Sequence, residues 1–269
     1  MTIKDGKAEF VPTHDLPIRN FPHKGEDLTG CIEIFELPKK DKNGRINGHR
    51  YIAGTDPVDD DSMSTDLSLQ STFIYDTWTE EIVAEYTGRP PMADDYYEQI
   101  RLLLLYYNAV NNYENNKKGL YGYFVRKNST FLLADNLEFL KDKDLIRGTK
   151  IGNQVKGYTA TTAINNYALR LIRKWLLETV TIVKQEGEEV ITIEVPRLYT
   201  LKSRALIQEL IQWTKEGNFD RVSAFGALML IREDRLILYQ GDLTKSRDNQ
   251  LNNVNYLGND DFFKLNYKE

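Results

Sequence analysis

Apolar and polar residues alternate in several short stretches of the chain and recur at helical spacing in others, and the two periods divide it into elements. Gly30 to Leu37 alternates as a half-buried strand does, and Tyr51 to Gly54 is a short apolar run. That run reaches Thr55-Asp56-Pro57, where proline cannot donate to a ladder, so Asp56 falls at the carboxyl end of a strand. Ser71 to Thr77 and Glu81 to Thr87 are β-type runs split by Trp78-Thr79-Glu80, which predicts a hairpin and three antiparallel strands in chain order. Asp94 to Val110 has an acidic first turn and apolar residues at Ile100, Leu103, Leu104 and Tyr107, the spacing of a buried helical face.

Ala109 to Tyr113 then reads as a short strand, and a new helical pattern begins at Leu120. Glu114 therefore stands after a strand and before a helix. A helix crossover returns the chain in its original direction, so this strand is expected parallel to the one ending at Asp56. Thr161 to Thr179 is a long amphipathic helix, and Val180 to Val195 alternates around Gln185-Glu186-Gly187-Glu188 as a hairpin. Ser203 to Trp213 and Val222 to Arg232 read as two further helices with a C-cap at Gly217, and the Asn-rich tail from Gly241 is given no fixed structure. The order predicts an α/β fold with a mixed sheet.

Composition removes several alternatives. With 269 residues, 35 Lys plus Arg against 40 Asp plus Glu give a net charge of −5, which argues against a polycation that coats nucleic acid. The acidic balance reverses locally: residues 117 to 156 hold nine Lys or Arg and four acids, a net of +5 that leaves −10 elsewhere. One cysteine, Cys31, cannot form an intramolecular disulfide, and His14, His23 and His49 have no zinc-binding spacing. No stretch approaches the ~20 apolar residues of a membrane helix, the N-terminus does not read as a secretory signal, and no phosphate-binding G-x-x-x-x-G-K-[ST] loop occurs. A cytoplasmic protein without ATPase activity is expected.

Three acids draw attention because of where the elements put them. Taken singly, Asp56 reads as an Asp-Pro turn, Glu114 as a first-turn glutamate favoured by the helix dipole, and Asp220 as an N-cap. Taken together, they form a carboxylate cluster, which repels itself unless protonated or bound to a cation, and hard oxygen ligands suit Mg²⁺ or Mn²⁺. Asp59, Asp60, Asp61 and Asp66 read instead as a solvated acidic loop.

YIAGTDP (51 to 57), IVAEYTG (82 to 88), LLLLYYNAVNNYENNKKG (102 to 119), LIQELIQW (206 to 213) and NFDRV (218 to 222) occur in an order that resembles the nuclease domain of the large terminase subunit of tailed bacteriophages. The resemblance spans about 51 to 232. It implies a ribonuclease H-like mixed sheet flanked by helices, here with an irregular N-terminal arm (1–50) carrying one strand, a nuclease domain (51–240) with an extra hairpin, and a polar tail (241–269). It further implies two-metal hydrolysis of concatemeric viral double-stranded DNA during packaging, in the cytoplasm of an infected bacterial host. Asp56 would be the bridging ligand of two Mg²⁺ or Mn²⁺ ions, and Glu114 and Asp220 would each bind one. The family often has His-Asp-Asp where this chain has Asn218-Phe219-Asp220, which implies a second ion held weakly or completed by DNA. Lys117, Lys118, Lys150 and Lys156 are the phosphate-contact candidates, and the terminase ATPase domain, small subunit and portal are the implied partners. The ATPase that precedes the nuclease in that family is not in this sequence, so an excised domain or a split gene product is expected. A junction resolvase using the same acids and a catalytically silent docking module for the packaging motor are the rival readings.

Overall fold

The structure is a computed structural model that describes residues 1–23, 27–58, 68–137, 139–142, 156–186 and 189–256. Its elements are β1 (Thr2–Lys4), β2 (Lys7–Glu9), β3 (Ile32–Ile34), β4 (Tyr51–Asp56), β5 (Gln70–Asp76), β6 (Glu81–Gly88), α1 (Ala93–Tyr107), β7 (Val110–Tyr113), α2 (Gly119–Arg126), α3 (Phe139–Asp142), α4 (Thr162–Leu177), β8 (Thr179–Glu186), β9 (Glu189–Pro196), α5 (Arg204–Gln212) and α6 (Asp220–Tyr256). The chain divides into two compact units, Met1–Arg232 and Glu233–Glu269.

The central sheet has five strands in the order β3-β6-β5-β4-β7. β4, β5 and β6 pair antiparallel in succession, as the hairpin pattern predicts. β7 lies parallel to β4, with Ile52 opposite Val110 and Thr55 opposite Tyr113. An isolated parallel bridge from Asn111 to Leu133 adds one further rung beyond β7. This is a mixed α/β sheet covered by helices on both faces.

The period-2 geometry of a strand sends neighbouring side chains to opposite faces, and the two cores follow from it. Tyr51 and Ala53 of β4 with Ile74 of β5 pack against Tyr96, Ile100, Leu103 and Leu104 of α1 and Leu120 and Phe124 of α2. Ile52, Phe73 and Tyr75 face the other way, onto Ile164, Ala168, Ile172 and Trp175 of α4 and Phe225 and Leu228 of α6. Gly54 belongs by alternation to this second face, and a Cβ there would lie 2.2 Å from the backbone nitrogen of Leu228. The absent side chain lets the backbone of α6 close onto β4 two residues before Asp56.

Several boundaries differ from the sequence expectations. The first long helix stops at Tyr107 because Asn108, at φ 51°, forms a left-handed C-cap, a conformation asparagine tolerates. The N-terminal arm carries three strands rather than one. Asp5 and Gly6, at φ 49° and 74°, turn β1 into β2, and β3 joins the central sheet on β6. The expected C-cap at Gly217 is instead Trp213, and Gly217 gives room to the ring of Phe219, 2.1 Å from where its Cβ would be. The tail also differs: no proline interrupts the chain from Gly241 to Tyr256, and α6 continues through it. Thr161 and Ser203 cap α4 and α5 by accepting from the amides of Ile164 and Leu206. The expected extra hairpin is present as β8 and β9, which pair from Thr179 opposite Pro196 to Glu186 opposite Glu189. The acidic loop of Asp59, Asp60, Asp61 and Asp66 lies outside the described residues, as does Lys150.

Candidate active site

Asp56, Glu114 and Asp220 come from three elements that the sheet brings to one end. Asp56 is the last residue of β4. Continuing the β4–β7 register by one residue beyond Thr55 and Tyr113 sets Glu114 level with it. Asp56 and Glu114 also alternate onto the face that α6 covers, as shown by Asn112 of β7, whose side-chain amide donates to the carbonyl of Ala227 at 2.8 Å. Asp220 opens α6 itself, held over the sheet by the close approach at Gly54. It is the first helical residue rather than an N-cap. Its carboxylate accepts the Leu69 amide at 2.9 Å and the Ser68 hydroxyl at 3.1 Å, which tie it to the chain entering β5.

The carboxylates are poorly solvated. Asp56 and Asp220 are each 7% exposed. Burial raises the pKa of Asp56 against the opposing attraction of Lys117 and a hydrogen bond from the Ser223 side chain. Asp220 is pushed up to about 6, first by burial and next by the charge of Asp56, with Leu69, Ser68 and Lys117 opposing. Like charges have been brought together here at a cost.

A cation stands among them. The Nζ of Lys117 lies 2.9 Å from Oδ1 of Asp56. Burial acts to lower the lysine's pKa, but Asp56, then Glu114 and Asp220, outweigh it and hold the ammonium charged. The attraction of Lys117 does not outweigh the burial of Asp56, so the lysine's pKa and the aspartate's both rise. Lys117, expected to face DNA phosphates, is thus placed against a carboxylate. Lys118 donates to the carbonyl of Asn115 at 2.7 Å, and Lys156 pairs with Asp135 at 2.7 Å. Charge along the chain could not distinguish the lysine inside the cluster from those outside it. Ser68 and Ser223 also escaped the sequence reading, because neither belongs to a motif.

Among the described residues, no group of three or more His, Cys, Asp or Glu side chains is arranged to hold a metal ion. The donor chemistry nevertheless fits a hard cation: carboxylate oxygens gathered at a strand end, with an ammonium where the positive charge is needed. Beside Glu114 and Ser223 opens a cavity of about 400 Å³, also lined by Asn165, Trp213 and Lys215, which gives the cluster a concave approach.

No protein-family model and no curated protein matches the chain. Solved structures do match it, among them the large terminase nuclease from thermophilic phage G20c, 10% identical, with a TM-score of 0.33 over 79% of this chain and 91% of that one. No described helix is long and apolar enough to cross a membrane.

The raised pKa of Asp220 has a measurable consequence in metal-free protein. A carboxyl with a folded pKa of about 6 and an ordinary value of 3.8 binds its proton more tightly when folded, so it costs stability above pH 3.8, fully so above pH 6. Asp220→Asn is therefore expected to match the parent near pH 4 and to exceed it at pH 8 by about 3 kcal/mol. Denaturant unfolding at the two pH values checks this, and an unchanged difference between them would contradict it.

Proposed function

We propose that this chain is a divalent-metal-dependent endonuclease that cuts concatemeric viral double-stranded DNA during genome packaging. The observation that supports it is the meeting of Asp56, Glu114 and Asp220, from β4, the end of β7 and α6, around the ammonium of Lys117. Buried carboxylates that raise one another's pKa are costly, and functional sites are where such arrangements concentrate. The ordered motifs from Tyr51 to Val222 point to the same activity through their likeness to terminase nucleases.

Asp56, Glu114 and Asp220 would hold Mg²⁺ or Mn²⁺, two ions in all. When bound, the ions supply an activated water and offset the charge on the phosphate. The chain's own part is positional. Ser68 and the Leu69 amide fix Asp220, Ser223 orients Asp56, and the cavity bordered by Asn165, Trp213 and Lys215 admits the DNA backbone. Lys118, Lys150 and Lys156 contribute phosphate contacts that do not depend on base sequence. Selection of the cleavage point then falls to the proposed partners, namely a packaging ATPase, a small terminase subunit and the portal.

Purified protein is expected to nick and then linearise supercoiled plasmid with Mn²⁺ or Mg²⁺ and to be silent in excess EDTA. Cutting that persists in the chelator would refute metal dependence. Preference for a four-way junction over linear duplex would move the assignment to a resolvase, and no cutting under any metal condition would favour the silent docking module.

A further inference from the structure

The sequence reading put Lys117 on a DNA-facing surface, and the proposed nuclease leaves its position in the carboxylate cluster unexplained. We propose that Lys117 is a displaceable internal counter-ion: its ammonium neutralises the cluster in the metal-free protein and leaves it when a divalent cation enters, so that metal binding is an exchange. The inference rests on the nuclease reading, since it concerns the same three carboxylates.

Three observations carry it. The first is occupancy. The ammonium is 2.9 Å from Asp56 and feels the charge of Glu114 and Asp220 as well, so it stands where an incoming cation would be drawn. At equal distance a divalent ion gains roughly twice the attraction that an ammonium does, and an ammonium 2.9 Å from Oδ1 of Asp56 fills the position from which an ion would bind that oxygen, so one must leave for the other to enter. The second is the loop. Asn115 receives the Thr159 hydroxyl at 2.9 Å, donates its side-chain amide to the carbonyl of Lys156 at 3.0 Å and its backbone amide to that of Tyr158 at 2.9 Å, while Asn116 donates to Ala160. The backbone beside Lys117 is stitched down, so a change need involve only the side chain. The third is a way out. The Lys117 side chain is 32% exposed against 10% for that of Asp56, and a lysine stem has the rotational freedom to swing its head into water.

The exchange can be read on the unmodified full chain. Acylation of lysine amines by an N-hydroxysuccinimide ester, followed by peptide mass spectrometry, should label Lys117 several-fold more slowly than the exposed Lys4 and Lys7 in EDTA. With saturating Mn²⁺ its rate should rise toward theirs. A Lys117 rate that is unchanged or slower with Mn²⁺ overturns the exchange. Independently, Lys117→Met should bind Mn²⁺ about tenfold more tightly than the parent by titration calorimetry, whereas Lys117→Arg, which keeps a cation, should not. Equal affinity in parent and Lys117→Met refutes the exchange alone. Absence of Mn²⁺ binding in both refutes the metal site on which the nuclease reading stands. Should Lys117→Met fail to fold, the labelling of the parent decides.

Discussion

Asp56→Asn, Glu114→Gln and Asp220→Asn are each expected to lower metal-dependent nicking of plasmid by at least about 10²-fold while the protein keeps its circular dichroism and a cooperative unfolding transition. Groups that only hydrogen-bond to the ligands of a metal typically cost 10–100-fold when removed, and groups that themselves hold the ion should cost more. Asp56 should be the most sensitive, because it touches Lys117 and also raises the pKa of Asp220, so the charge of the whole cluster depends on it. The amide substitutions preserve shape, and Asp220→Asn is expected to be the more stable protein at pH 8. Loss of activity together with gain of stability is the signature of a site whose charge serves chemistry rather than folding. A variant that nicks at the parental rate would remove its residue from the site. Loss only alongside unfolding would leave the assignment without support.

Much of this arrangement is readable in the chain because it rests on local periodicity. The apolar run from Tyr51 to Gly54 and the β-type run from Ser71 to Thr77 place the strands, Pro57 ends the first of them, and the helical crossover between β6 and β7 makes β7 parallel to β4. Those steps suffice to bring Asp56 and Glu114 to one sheet end. What was not readable depends on tertiary approach. Gly54 looks like any strand glycine until the backbone of α6 is found against it, and the entry of Asp220 into the cluster depends on that contact. Lys117 sits in a basic run whose charge pattern favours a solvated face, and only the meeting of β4, β7 and α6 turns it inward. The β1–β2 hairpin is a different kind of miss. Asp5-Gly6 is a strong turn signal, but its flanking strands are three residues each and too short to show a period.

The largest effect on stability is expected from Arg221→Met. Arg221 follows Asp220 in the first turn of α6 and is 1% exposed. Its Nε donates to Glu85 at 2.6 Å, one terminal nitrogen donates to Glu209 at 3.1 Å, and the other donates to the carbonyl of Ile18. Glu209 in turn accepts the backbone amides of Arg221 and Val222, at 2.9 and 3.2 Å, and so serves as the cap at the start of the helix. Burial lifts Glu209 to a pKa of about 7 even with Arg221 beside it. Removing the guanidinium leaves two buried carboxylates uncompensated, a change that costs about 3–5 kcal/mol. A carboxyl whose folded pKa is raised costs stability above its unfolded value, so the deficit should be greatest at pH 8 and shrink toward pH 5 as Glu209 takes up its proton. Adding Glu85→Gln and Glu209→Gln should restore a substantial part of the loss at pH 8, because the triple variant no longer buries an unpaired charge. Guanidinium unfolding of the parent, single and triple variants at the two pH values tests all three statements. A single-variant deficit below about 1 kcal/mol at pH 8, or one that grows toward pH 5, would show that the guanidinium is not what makes the burial of these glutamates tolerable.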